Sequence, residues 1–107
     1  MTEPLTEYAY YAYTRAVEFE WDATKRVRNR DDHGIDFDES REVFDDPLAI
    51  VRSDPKHSHG EHRLTIIGRS ERGHILLTVF VEREAKIRII SSRRATRREV
   101  RGYEKGV

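Results

Sequence analysis

Two stretches of this 107-residue chain concentrate the side chains that move protons and hold phosphates. The first is His57-Ser58-His59-Gly60-Glu61-His62-Arg63, and the second runs from Arg88 through Ser91, Ser92, Arg93 and Arg97 to Tyr103. Phosphoryl chemistry without a metal ion needs a group to take a proton, a group to return one and cations for the charge that grows on the phosphate. These two stretches supply all three types. In a strand beginning near Glu61, Glu61 and Arg63 share one face and His62 takes the other, so Glu61 can serve as base while Arg63 grips phosphate with its planar fork. The alternative is a surface ion pair worth at most about 1 kcal/mol. Histidines at 57, 59 and 62, with Asp54 and Glu61 nearby, invite comparison with a zinc site; in a loop without cysteine they read as solvated side chains, and neither metal nor other cofactor is expected.

In the second stretch Arg88 faces away from Ile87 and Ile89, so it must meet solvent, an acid or a ligand. Ser91 and Ser92 are expected to end that strand and cap a helix starting near Arg94, which would place backbone N–H groups beside a phosphate. Arg94, Arg97, Arg98 and Arg101 then form one stripe that repels itself unless a polyanion or acidic partner lies against it. Tyr103 could stack on a base or donate to phosphate; equally, its ring could pack the helix down. Lys25 and Asn29, four apart on a helix, could reach RNA or a neighbouring acid. His33 is accounted for by the negative end of that helix, and Trp21 reads as the main core aromatic.

The elements that must position these groups alternate legibly. Val17, Phe19 and Trp21 set against Glu18 and Glu20 predict a strand, with Asp22 as cap of a polar helix over residues 23–32 closed by His33-Gly34. Asp36 with Glu39 forms a capping box for a second helix from Phe37 to about Asp45, ended by Pro47. Strands follow over 48–52, 63–68, 74–81 and 86–91, with Ser70-Glu71-Arg72-Gly73 as a hairpin turn; the apolar third of these reads as a central strand covered on both faces. A terminal helix is expected over 94–105. The order is α+β: strand, two helices, an antiparallel sheet meander and a C-terminal helix. Residues 1–16, with tyrosines at 8, 10, 11 and 13, show no period and read as an N-terminal extension to a single domain over 17–107.

Lys and Arg number 20, Asp and Glu number 20, and the net charge is zero. Zero would seem to exclude a polyanion binder, yet residues 1–54 hold 14 acids against 7 bases and residues 55–107 hold 6 against 13, giving −7 and +7. Between Lys86 and Lys105 eight bases face two acids. Affinity for phosphate follows local potential rather than the total, so the basic half remains a candidate polyanion surface, the alternative being a solvated helix whose arginines pair with acids of the first half. The absence of cysteine removes disulfide scaffolds and thiolate chemistry. No apolar run approaches the 18 or so residues of a membrane span, and the start lacks the pattern of a signal peptide, so a cytoplasmic protein is expected. With 36% hydrophobic residues the core must be thin, which leaves room for a partner or a second copy to cover more surface.

Phe19-Glu20-Trp21-Asp22 with Lys25 and Asn29, then His33-Gly34-Ile35, Phe37 and Val43-Phe44-Asp45-Asp46-Pro47, resemble the opening of the BrnT toxins of bacterial type II toxin-antitoxin systems. The second half is similar at His57, Glu61 and Arg63, at Gly68-Arg69-Ser70, and from Ile87 to Glu99 followed by Tyr103-Glu104. The resemblance spans residues 17–105. It implies a RelE-like ribonuclease fold, RNA cleavage that arrests translation, and a BrnA-like ribbon-helix-helix antitoxin that neutralises the toxin and brings operator DNA only through the complex, as a homodimer or a heterotetramer with antitoxin. The site it implies comprises His57, Glu61, Arg63, Arg88 and Ser91 for catalysis and Lys25, Ser92, Arg93, Arg97 and Tyr103 for RNA. His57 is included because the family pattern has a histidine there. Asp32 stands where the family commonly has lysine, replacing a cation with an anion beside His33. A non-enzymatic module that only holds nucleic acid or antitoxin is the competing function.

Overall fold

Residues 17–58 and 60–106 are described by a computed structural model. The Tyr-rich segment 1–16 lies outside the described residues, as does His59. β1 (Glu18–Glu20) leads to α1 (Ala23–His33), which Asp22 caps by accepting the Lys25 N–H at 3.0 Å and which Gly34 closes at φ 71°. α2 (Phe37–Ser40) continues as a 3₁₀ turn over Arg41–Asp45. Its cap is Asp36, but the expected capping box does not form: Asp36 accepts from the Asp38 N–H, while the Glu39 carboxylate turns inward. There it accepts the Ser70 hydroxyl at 2.7 Å and lies 2.8 Å from His74 Nδ1. A buried carboxylate is kept only where such donors replace water.

β2 (Ile50–Ser53), β3 (Arg63–Arg69), β4 (Ile75–Arg83) and β5 (Lys86–Arg94) follow, and α3 (Arg97–Lys105) ends the chain. β5 runs three residues past its expected end. Thr96, rather than Ser91 or Ser92, caps α3, in a reciprocal box with Glu99. The sheet order is β1-β5-β4-β3-β2; β2 to β5 form an antiparallel meander and β1 lies parallel to β5, so the sheet is mixed. The α+β reading therefore holds, with β1 added to the far edge of the meander. Past the end of β1, the Asn29 carboxamide takes the place of a neighbouring strand: it accepts the Ser92 N–H at 3.0 Å and donates to the Ser92 carbonyl at 2.8 Å and the Ile35 carbonyl at 2.9 Å. Asn29 is thus part of the scaffold rather than an RNA contact.

One face of the sheet carries the core. Phe44 stands edge-on between Phe19 and Phe80, with centroids 5.2 and 5.0 Å away, and Val43, Ile66, Leu76 and Ile89 are fully enclosed around them. The chain crosses so close over β3 that a Cβ at Gly68 would stand 2.9 Å from the Val43 carbonyl oxygen, which only glycine permits. Trp21 is half-buried at the rim, edge-on to Phe37 and beneath Arg26, so the phenylalanines and not the tryptophan centre the core. β4 alternates between half-buried and enclosed residues from Ile75 to Val79 and is covered on both faces only at Phe80 and Val81. No helix among the described residues is long and apolar enough to cross a membrane.

Candidate active site

The face of the sheet turned away from α2 brings the candidate residues together, and a β-bulge decides which ones. Strict alternation from Arg88 would turn Ile90 and Ser92 to its side and Ser91 to the other. The pairing shifts between Val79 and Phe80, so that Val79 is opposite Ser91 while Phe80 is opposite Ile89, and Ile90 is the extra residue. Beyond it the facing is reversed. Ser91 and Arg93 join Arg88 on the open face, and Ser92 turns inward, enclosed, with its Oγ 2.9 Å from that of Thr78. Ser92 is therefore corrected from an RNA contact to a core hydroxyl.

The register lays the open face out in rows. Arg63, Val81 and Arg88 form one row across β3, β4 and β5. Arg52, Thr65, Val79 and Ser91 form the next, and Ile67, Leu77 and Arg93 the one after. A cavity of about 460 Å³ opens over these rows; its lining includes Arg52, Asp54, Thr65, Val79, Ser91 and Arg93 together with His33, Leu77 and the otherwise buried Ser92. Arg52, Thr65 and His33 are the contributions that sequence reasoning missed. Arg52 ends an apolar strand and carries no pattern of its own; only the β2–β3 register aims it here.

The cations differ in what already holds them. Arg88 Nη1 is 3.4 Å from Glu20 Oε2. Arg93 makes a two-pronged bond to Glu99 at 2.9 and 3.1 Å, which raises the guanidinium's pKa and holds the Glu99 carboxyl below its ordinary value. β3 begins at Arg63, so Glu61 lies in the bend before the strand rather than on its face, and Arg83 has taken it: Nε and Nη2 both donate to Oε2, at 2.9 and 2.6 Å. That pair raises the Arg83 pKa through its hydrogen bond to Glu61 first. Arg52 and Arg63 have no ion pair among the described residues. The loop before Arg63 is pinned to it, since the Arg63 N–H donates to Ser58 Oγ and that hydroxyl donates to the Asp54 carbonyl. His57 lies on this loop in a 3₁₀ turn, its side chain outside the described residues. His62 Nε2 is 3.1 Å from Ser53 Oγ, and among the described residues no three His, Asp or Glu side chains converge as metal ligands would.

The remaining RNA candidates lie elsewhere. Lys25 is exposed on the first turn of α1 and Arg97 on the first turn of α3, both outside the cavity. Tyr103 is buried: its hydroxyl donates to Asp46 Oδ2 at 2.6 Å and Arg69 lies over its ring at 5.9 Å. Burial first, and then the Asp46 carboxylate, push the phenol up to about 12. Tyr103 fastens α3 to the 3₁₀ turn and is corrected from a nucleic-acid contact to a packing residue. The expected stripe of four arginines also loses Arg94, which belongs to β5 and has Nη2 2.7 Å from His74 Nε2.

Comparison with known proteins adds a family. Residues 21–99 match the family model described as ribonuclease toxin, BrnT, of type II toxin-antitoxin system. The fold is similar to the 1.1 Å crystal structure of the Brucella abortus ribonuclease toxin BrnT, with a TM-score of 0.60 and 26% identity over 76% of this chain and 99% of that one. No curated protein matches the sequence.

Proposed function

Because the chain belongs to the BrnT family of ribonuclease toxins from type II toxin-antitoxin systems, we propose that it cleaves RNA on the open face of its sheet without a metal ion. The observation that carries this reading is the bulge that turns Ser91 and Arg93 to the same side as Arg63 and Arg88. Arg63 and Arg88 flank the enclosed Val81 in one row, and a phosphate held between their guanidiniums would have the Ser91 hydroxyl one row away. Attack by the 2′-oxygen on that phosphate builds negative charge on its non-bridging oxygens, and groups fixed in place before reaction stabilise such charge at little reorganisation cost. The 2′-proton passes to a base, the 5′-oxygen leaves with a proton from an acid, and the products are a 2′,3′-cyclic phosphate and a 5′-hydroxyl. His57 and Glu61 are the proton-transfer candidates; Glu61 would use Oε1, since both Arg83 bonds fall on Oε2.

The toxin domain is assigned to residues 17–107, acting in the cytoplasm to arrest translation. A BrnA-like antitoxin, in a heterotetramer or against a toxin homodimer, would hold it inactive, with Lys25 and Arg97 left on the outer surface for RNA or antitoxin. The test is cleavage of a labelled RNA by the purified chain in excess EDTA. Wild type should cut, and Arg88→Ala should cut at least about a hundredfold more slowly with an unchanged fold by circular dichroism. Cleavage lost on chelation would replace this mechanism with a metal-dependent one; absence of cleavage with RNA still bound would make the face a binding module. Retained cleavage by Arg88→Ala would remove Arg88 from the chemistry.

A further inference from the structure

We infer that the cavity between Arg52 and Ser91 is a nucleotide subsite beside the scissile phosphate, with Arg52 as its phosphate anchor and Leu77 and Val79 as the floor for the base. The inference rests on the ribonuclease reading and names how RNA is held there. Arg52 is exposed on β2, the outer strand of the meander, and lines the cavity. Its pairing with Thr65 sets Arg63 diagonally next to it on the same face, at a spacing of roughly 7 Å between Cβ atoms. Neither arginine has an ion pair among the described residues, whereas Arg83, Arg88 and Arg93 on the same face and its margin are each held by a carboxylate. Asp54 also lines the cavity, its backbone N–H donating to the Arg63 carbonyl at 2.9 Å, and it has a partner of its own.

A lone cation on an edge strand often serves only to discourage pairing with other sheets. Two uncompensated arginines side by side repel each other, and an anion between them removes that cost. The floor is chemically different. Leu77 and Val79 are half-buried and apolar, and Thr65 and Ser91 stand to either side in the Val79 row. An apolar surface flanked by hydroxyls, with a guanidinium at one end, suits a base and the phosphate attached to it. The volume of about 460 Å³ falls within the range of small-ligand sites. The arrangement fits RNA in particular because the row carrying Arg63 and Arg88 adjoins the cavity, so a second phosphate of the same strand would fall where cleavage is proposed.

The test compares Arg52→Ala with Arg28→Ala, which removes the same charge from the exposed side of α1. In RNA cleavage, Arg52→Ala should raise KM about tenfold, the effect of losing one charge-assisted contact. The slope of log affinity against log salt should become shallower by about 0.7, as for one phosphate contact on a single strand. Arg28→Ala should do neither. In parallel, adenosine 5′-monophosphate titrated by NMR should move the Thr65, Leu77 and Val79 amides in wild type and not in Arg52→Ala. If RNA is cut and the two variants match in KM and slope, the subsite is overturned while the ribonuclease reading stands. If RNA is not cut but the nucleotide moves those amides in an Arg52-dependent way, the subsite stands and the ribonuclease reading falls. Absence of any response to nucleotide overturns the subsite in either case.

Discussion

The helix beside the packed face and the open face of the sheet differ in how far their arginines are paired: on the open face Arg88 and Arg93 are held by carboxylates, while Arg52 and Arg63 have no ion pair among the described residues. Alongside the packed face, Arg26 is bonded to Asp36 and Asp38 and Arg30 to Asp36, at 2.9 to 3.2 Å. Even the buried Glu39 is supplied with a hydroxyl and an imidazole, and no buried side-chain nitrogen or oxygen among the described residues lacks a hydrogen-bond partner. On the open face Arg52 lines the cavity and Arg63 stands in the adjoining row. Asp36, Asp38 and Glu39 from the acidic first half are thus committed on the packed side, while Glu18 and Glu20 pair with Lys86 and Arg88. A face that settles its own charges contributes stability, and a face that leaves them open is fitted to a charged partner.

That contrast can be tested from the strongest effect downward. Phe80 is fully enclosed against Phe44, so Phe80→Ala should cost about 3–5 kcal/mol. In a domain of this size that lowers the melting temperature by roughly 15 °C or more. A shift of only a few degrees on thermal unfolding would mean that the packed face is not where stability resides.

Asp36 caps α2 and holds two arginines, so Asp36→Ala should cost about 1–2 kcal/mol with RNA cleavage per folded molecule unchanged. Burial pushes the Asp36 carboxyl up, but the Asp38 N–H and the Arg26 and Arg30 guanidiniums outweigh it and leave it below its ordinary value. A lowered carboxyl contributes stability that is complete above its unfolded pKa and is lost as pH falls through the folded one. The gap between wild type and Asp36→Ala should therefore close as melting is followed from about pH 6 down to about pH 3. A gap that persists at the acid end would show that the carboxylate's charge is not what matters.

The smallest stability effect belongs to the open face. Ser91→Ala should leave stability within about 0.5 kcal/mol and slow RNA cleavage at least about tenfold. A large loss of stability with cleavage intact would reverse the assignment of the two faces.

Much of this was legible in the chain of residues. Caps at Asp22 and Asp36, glycines at 34 and 73, and alternation in the later strands fixed the order and approximate bounds of the elements, because such signals act over three or four residues. The site was legible in part. Arg63, Arg88, Ser91 and Arg93 do share a face, while Ser92 and Tyr103 are turned into the packing and Glu61 is held by Arg83.

By itself the sequence determined which elements form, where the opposed charges lie along the chain, and which family the chain resembles, since each of these is written in local pattern or in a long motif. Only the tertiary structure decided which of two adjacent serines turns to the open face, which arginines are neutralised, and that Arg52 lines the cavity. Those outcomes depend on one bulged residue at Ile90 and on the register between strands distant in sequence, and a shift of one residue reverses the facing of everything beyond it.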